Sequence, residues 1–353
     1  MDWIWLLICY FCDFNDNVMK INIELISIIG ILFISWIVLV LLDLAVSGII
    51  KIFSDIAFKK AFLWGLLSLA LPPVLMAYGM LIERNIYQVK EVEIGFDDLP
   101  SSFDGYRIVH ISDIHARSFM KRPESLKRAV WKINSLNADL TAFTGDIITM
   151  GSGELDDLSE ILGSIRSKDG TVSVLGNHDY CIYGDPMEAG SMKDSVDNVI
   201  RKEKEMGWNI LLDENLILTR GSDSIAVIGV ENTSPSGHFP SKGNLSEASG
   251  GTEGMFRILL SHDPMHWEAE VIGKDYPLML SGHTHAMQFS LFGWSPSRYM
   301  FMQYRGLYRN DGQYLYVNTG LGETIFPARI GTPPEITLIT LRRNQGKTVR
   351  RAR

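Results

Sequence analysis

Tyr106-Arg107-Ile108-Val109-His110-Ile111-Ser112-Asp113-Ile114-His115 is the stretch on which the fold turns. Its first part is β-type and largely apolar, and the run halts at Ser112-Asp113. It therefore reads as a strand that delivers a short polar cluster at its carboxyl end. The same figure recurs downstream. Asp139–Phe143 ends at Thr144-Gly145-Asp146, Thr171–Leu175 at Gly176-Asn177-His178-Asp179, Phe256–Leu260 at Ser261-His262-Asp263, and Leu278–Leu280 at Gly282-His283-Thr284-His285. In open α/β sheets ligands bind beyond the carboxyl ends of the strands. Strand ends of this kind facing one crevice would build a single site from widely separated stretches of chain.

Between and around these strands the periodicity alternates. Helical spacing is predicted over Pro123–Leu136, with Leu126, Ala129, Val130 and Ile133 on one face, over Leu155–Ile165, and by composition over Ser191–Met206. Further strands are expected at Tyr87–Ile94, Ile210–Leu212, Ile217–Thr219, Ile225–Val230, Tyr314–Val317 and Ile336–Leu341. The Gly-, Ser- and Pro-rich Pro235–Gly254 reads as a surface loop. Strands alternating with helices, then a strand-rich second half, predict one α/β layered domain over residues 83–353, with helices outside sheet.

Residues 1–82 follow another rule. No charge interrupts Leu25–Leu42, apolar character resumes after Asp43 through Ile50, and a second uncharged run covers Ala61–Ile82. Each reaches the roughly 20 residues that cross a bilayer core. Two transmembrane helices are predicted, over about 25–50 and 61–82, the second kinked at Pro72-Pro73. Asp43 is expected near a helix end, within reach of the interface. Trp3–Cys12 is apolar but too short to span. Lys51, Lys59 and Lys60 in the connecting loop favour a cytoplasmic loop and a globular domain on the other side, in a bacterial inner membrane.

Composition narrows the partners. The formal charge is −8 and the only basic cluster is the tail Lys347–Arg353, so no nucleic-acid partner is expected. Of three cysteines, Cys181 alone lies in the globular part, which excludes a disulfide framework there and reads as a buried thiol.

The polar clusters suit metal ligation. Asp113 and His115 are two apart, as are His283 and His285, a spacing that in extended backbone points both side chains to one side. Glycines before Asp146, Asn177 and His283 permit tight turns and close approach. Four histidines, two aspartates and an asparagine are borderline ligands, suited to Zn, Mn or Fe. Two carboxylates against two divalent ions would leave a net positive site that attracts phosphate.

This constellation resembles the calcineurin-like metallophosphoesterases over about Tyr106–Leu341, and their membrane-linked branch in Ser112–His115, Leu260–Pro264 and Gly331-Thr332-Pro333-Pro334-Glu335-Ile336. The resemblance implies N-terminal transmembrane helices followed by a four-layer αββα sandwich. It implies Asp113, His115 and His285 on one metal, Asn177, His262 and His283 on the other, and Asp146 bridging them. His178 would sit over the substrate phosphate with Asp179 orienting it. The activity implied is hydrolysis of a phosphodiester, phosphomonoester or pyrophosphate by a hydroxide shared between two divalent ions. A lipid-linked substrate, such as the UDP-2,3-diacylglucosamine that some relatives cleave, is one candidate. A non-catalytic membrane sensor that kept the fold is the reading from another class. Ala286-Met287 and Ala116-Arg117 depart from the family's usual glycines and leucine, and bear on substrate preference. Arg117 reads as a surface arginine, with contact to phosphate as the second reading. Trp294–Tyr299 and Met300–Met302 read as a packed loop, with a lipid-facing rim as the second. His110, His238 and His266 read as structural or surface residues.

Overall fold

The computed structural model describes residues 23–183 and 192–344. The Trp3–Cys12 stretch and the basic tail Lys347–Arg353 lie outside the described residues. The chain divides into two compact units between Val74 and Leu75.

In the first unit Ile23–Phe53 is one unbroken helix, apolar on every side, with Ile29, Phe33, Ile37 and Leu41 all exposed. A helix without a polar stripe finds no stable face in water. A second apolar helix runs from Phe58, passes through a 3₁₀ turn at Leu66–Ala70 just before Pro72-Pro73, and resumes at Leu71–Leu81. The prolines lack the N–H that a continuous α-helix would need there. Both helices are long and apolar enough to cross a bilayer. Asp43 departs from expectation: the first helix continues to Phe53, so Asp43 lies within it rather than near its end. Its carboxylate accepts from Ser47 Oγ at 3.3 Å and lies against Gly65 of the second helix, where a side chain would collide with it.

The second unit is built on two six-stranded sheets. The first runs in the order β1 (Gln88–Phe96), β12 (Glu335–Arg343), β2 (Arg107–Ile111), β3 (Leu140–Thr144), β4 (Thr171–Val174) and β5 (Asn209–Ile210). From β2 to β5 the strands are parallel, and β12 enters antiparallel to β2. The second runs β10 (Gly306–Asn310), β11 (Gln313–Val317), β9 (Leu278–Ser281), β8 (Phe256–Leu260), β7 (Asp223–Gly229) and β6 (Glu214–Arg220). Here β11, β9, β8 and β7 are parallel and the two outer strands antiparallel.

Alternation along the strands explains the layering. Ile108, Leu140, Val172 and Val174 of the first sheet meet Ile225, Val227, Ile258, Leu260 and Leu278 of the second in one buried cluster. The opposite face, through Val109, Ile111 and Phe143, packs on Leu126, Ala129, Val130 and Ile133 of the helix Pro123–Ser135, as their spacing predicts. The outer face of the second sheet is covered by Leu245, Trp267, Val271 and Tyr276. The result is the expected four-layer αββα sandwich.

Two local expectations are corrected. Leu155–Ile165 is not one helix but a 3₁₀ turn, Ser152–Leu155, and a single helical turn, Ser159–Leu162. The carboxylate of Glu154 is drawn inward to accept the N–H groups of Thr149 and Met150, which fixes the start of the segment as a turn. Strand β10 is unanticipated. It is an edge strand with little buried surface, joined to β11 through Asp311-Gly312, both at positive φ, a signature of a two-residue hairpin.

Candidate metal centre

The parallel strands of both sheets deliver their polar ends to one place. Asp113 and His115 follow β2, Asp146 follows β3 and Asn177 follows β4. His262 follows β8, and His283 and His285 follow β9. The loops are bound to one another by backbone: Asp113 N–H donates to Gly145 O at 2.9 Å and His115 N–H to Asp146 O at 3.1 Å. Gly145, at φ +86°, lies so close to Gly176 that a Cβ would come within 2.5 Å of its nitrogen. That contact sets the spacing between the Asp146 and Asn177 turns.

All seven predicted ligands converge. His285 Nε2 lies 3.3 Å from Asp113 Oδ1 and 3.1 Å from His115 Nε2. His262 Nε2 lies 3.2 Å from Asn177 Oδ1 and 3.2 Å from His283 Nδ1. Asp146 Oδ2 reaches both groups, at 3.7 Å from His115 Nε2 and 3.2 Å from His262 Nε2. Of these seven only His283 is half-buried rather than buried, as is the neighbouring His178, so the mouth opens beside them.

The outer partners show which ring nitrogens face inward. Ile148 O accepts from His115 Nδ1 at 3.1 Å and Thr144 O from His262 Nδ1 at 2.7 Å. Each carbonyl fixes the Nδ1–H tautomer and leaves the Nε2 lone pair bare, the usual preparation of a ligating histidine. Burial keeps His115 and His283 below the ordinary imidazole range, hence neutral and ready to ligate. His262 differs: burial pulls its pKa down, but the carboxylates of Asp146 and Asp113 override this and push it up to about 10. Two buried carboxylates thus call for positive charge at the point where a cation would sit. The donor set therefore fits a pair of divalent ions, with nitrogen-rich borderline ligands.

Backbone geometry sharpens the reading. Asp113, His115, Asp146, His283 and His285 all have φ between +44° and +73°. Asp and His tolerate the left-handed region better than most residues, but each such position costs roughly 1 kcal/mol or more. The strain continues through Ala286 and Met287, at φ +47° and +52°. These are the positions where the resemblance leads one to expect glycines.

The part expected of Asp179 falls to another residue. The Thr149 carbonyl holds the His178 ring, accepting from Nδ1 at 2.8 Å. Asp179 is fully buried and accepts the N–H groups of Asp146, Ile147 and Gly176 at 2.8 Å each, and of Ile148 at 3.2 Å. It therefore shapes the turn that carries Asp146. Burial, then the Asp146 carboxylate, push its pKa up to about 7, against the pull of those amides.

Other contributors had no local signal. Arg329 is buried, and its Nη2 lies 3.3 Å from His285 Nδ1. Glu154 accepts the N–H of Arg117 at 3.0 Å and of Thr149 at 2.8 Å, joining two site loops. Tyr183 packs its ring 4.4 Å from that of His178. The Arg117 side chain is exposed. His110 is buried and bonded to Thr144 Oγ1, His266 is buried against Ser261 and Glu270, and Cys181 is a buried free thiol. Gly282 is as confined as Gly145: a Cβ there would lie 2.4 Å from Asp113 Oδ2. Gly282→Ala should therefore displace Asp113 and lower metal content per chain, read by elemental analysis. Wild-type stoichiometry in a folded Gly282→Ala protein would contradict this placement.

Comparison with known proteins agrees with the geometry. A family model, calcineurin-like phosphoesterase, matches residues 106–287, just over half of the chain. An uncharacterized metallophosphoesterase of Bacillus subtilis, YkuE, is 32% identical over 75% of this chain and 89% of its own length. The zebrafish (Danio rerio) transmembrane protein with metallophosphoesterase domain is 31% identical over 78% of this chain. The alignment covers 62% of that relative's length. The UDP-2,3-diacylglucosamine pyrophosphatase LpxG of Chlamydia trachomatis is 25% identical over 77% of this chain and 94% of its own length. The converging Asp, His and Asn donors and these matches lead to one conclusion: the chain belongs to the calcineurin-like phosphoesterase family of metal-dependent hydrolases.

Proposed function

We propose that this chain is a membrane-tethered, dinuclear-metal hydrolase of phosphate esters, with residues 1–82 as anchor and 83–353 as catalytic domain. The observation that supports it best is the position of Asp146, one carboxylate lying between two sets of donors. Asp113, His115 and His285 would hold one divalent ion, Asn177, His262 and His283 the other, with Asp146 shared. When bound, such a pair supplies an acidified water and a clamp for phosphate oxygens.

The chain's own residues complete the chemistry. A ring nitrogen of His178 lies within 4.8 Å of donor atoms of His115 and Asp146. With Nδ1–H engaged by Thr149, the Nε2 position is left to take up a proton. Protonated there, His178 can hydrogen-bond the developing oxyanion or give the proton to the leaving oxygen. The apolar helices and the UDP-2,3-diacylglucosamine pyrophosphatase relative favour a lipid-linked ester or pyrophosphate as substrate. A bacterial inner membrane is the proposed setting. Lys51, Lys59 and Lys60 favour a cytoplasmic connecting loop.

The test is turnover of bis-p-nitrophenyl phosphate by the metal-loaded full chain, which should stop on chelation and return on adding Mn²⁺ or Zn²⁺. His178→Ala should lower kcat by roughly 10²–10⁴-fold while metal content stays constant. Lost metal with unchanged turnover per bound ion would refute the role given to His178.

A further inference from the structure

The loop carrying His283 and His285 continues directly into a segment that is not the packed loop its sequence suggests. Leu291 and Trp294 exchange backbone hydrogen bonds at 2.8 and 3.0 Å, closing a tight turn whose two central residues, Phe292 and Gly293, have φ of +49° and +83°. A bulky residue at that first position is unusual, because Asn, Asp or Gly fits such a turn. Phe292 is nonetheless 100% exposed there, and Tyr299 and Met302 are 73% and 76% exposed. The turn is held from behind by Arg305, which donates to Gly293 O at 2.6 Å and Ser290 Oγ at 3.2 Å. The apolar side chains are thus presented on a supported platform.

Two observations identify what covers this surface. The first is charge. From Gly282 to Leu307 the chain contains no Asp or Glu and two arginines, Arg298 and Arg305, in a protein of net charge −8. Arg298 is exposed, with its guanidinium carbon 5.8 Å from the centre of the Tyr299 ring. Trp and Tyr mixed with Arg is the composition of a bilayer interface, and arginine is attracted to anionic headgroups. The second is continuity with the apolar helix. From Leu75 onward that helix, the last part of the proposed anchor, belongs to the same compact unit as the two sheets. Its Gly79 O accepts Arg329 N–H at 3.4 Å, and Ile330 in turn exchanges backbone bonds with Gln288 and Ser290, at 2.9 and 2.7 Å. The exposed segment is therefore stitched, through Arg329–Ile330, to the last turns of a helix whose outward residues Tyr78, Leu81 and Ile82 are themselves exposed and apolar or aromatic. On its other side Phe301 packs its ring 5.6 Å from that of the ligand His283.

We infer that Leu291–Met302 enters the bilayer surface, so that the mouth of the metal centre faces phosphate esters carried by lipids. The second clause rests on the proposed function and the first does not. The experiment keeps them apart. In full-length chain with the native cysteines replaced by serine, an environment-sensitive fluorophore is placed on Phe292→Cys and, as an aqueous control, on Glu253→Cys. Both proteins are reconstituted in phosphatidylcholine–phosphatidylglycerol vesicles containing shallow spin-labelled lipid. The expected result is a blue-shifted, lipid-quenched label at 292 and an unquenched one at 253. Equal and lipid-independent emission at the two positions overturns the inference and leaves a protein partner as the alternative.

The second arm is the double variant Phe292→Asp/Trp294→Asp. Turnover of a vesicle-borne lipid pyrophosphate should fall roughly tenfold, on the scale of losing one buried aromatic side chain. Metal content and bis-p-nitrophenyl phosphate turnover should stay unchanged. A loss on both substrates would place the segment in the hydrolytic site instead of the membrane, and no loss on either would overturn the inference. If wild-type protein hydrolyses neither substrate, the proposed function fails while the quenching still decides the insertion.

Discussion

Asp146→Asn should leave the chain folded and deprive it of both metal ions at once. Asparagine keeps the shape of the side chain, tolerates the φ of +59° found there, and can still accept the His178 N–H that Asp146 Oδ1 accepts at 2.8 Å. Only the charge is removed. In the wild-type protein that charge faces His115 and His262 from a fully buried position. Breaking one side of a buried charge pair costs roughly 3–5 kcal/mol, or two to four orders of magnitude in affinity. Because one carboxylate serves both donor sets, the loss should appear in both ions together, not as one retained and one released. Elemental analysis after dialysis reads the stoichiometry, and phosphodiester turnover should fall in step with it. An Asp146→Asn protein that holds two ions per chain would remove the basis for a shared bridge.

Asp179→Ala acts one step behind the ligands and should be more damaging to the fold than any single ligand change. The four amides that its carboxylate satisfies, those of Asp146, Ile147, Ile148 and Gly176, would be left without a partner in a region closed to water. An orphaned buried donor costs about 1–3 kcal/mol, and these act as a unit, so a loss on the order of 4 kcal/mol or more is expected. That is a large part of the stability of an ordinary domain. Denaturant unfolding should show it as a reduced midpoint, with metal content falling as a consequence. Asp179→Asn keeps one acceptor oxygen and should restore part of the midpoint. Were Asp179 instead a proton-transfer group, Asp179→Ala would unfold like wild type and lose only kcat.

The contrast between these two aspartates shows what the sequence makes legible. Asp113, His115, Asp146, Asn177, His262, His283 and His285 were readable because each closes a run of β-type residues. The parallel order of β2–β3–β4 and of β8–β9 then brings those ends together. The core face of Pro123–Ser135 was readable from its spacing. What Asp179 does was not, since all but one of its partners are backbone groups of a turn some thirty residues earlier. Arg329 reaches His285 across 44 positions, and Thr149 acts through a carbonyl that any residue would carry. Strand β10 escaped because an edge strand has only a weak inside and outside, and Leu155–Ile165 because the inward pull of Glu154 outweighs its helical composition. The exposure of Leu291–Met302 was hidden for a related reason: apolar composition alone does not say whether a segment is covered by protein or by lipid.

The left-handed backbone beneath five of the seven proposed ligands has a consequence for drift. At Asp113, His115, Asp146, His283 and His285, glycine would relieve conformational strain, so a lineage released from catalysis would gain robustness by drifting there. Holding imidazoles and carboxylates at all five, against that conformational preference, gives up ease of folding for the donor set that the proposed chemistry requires.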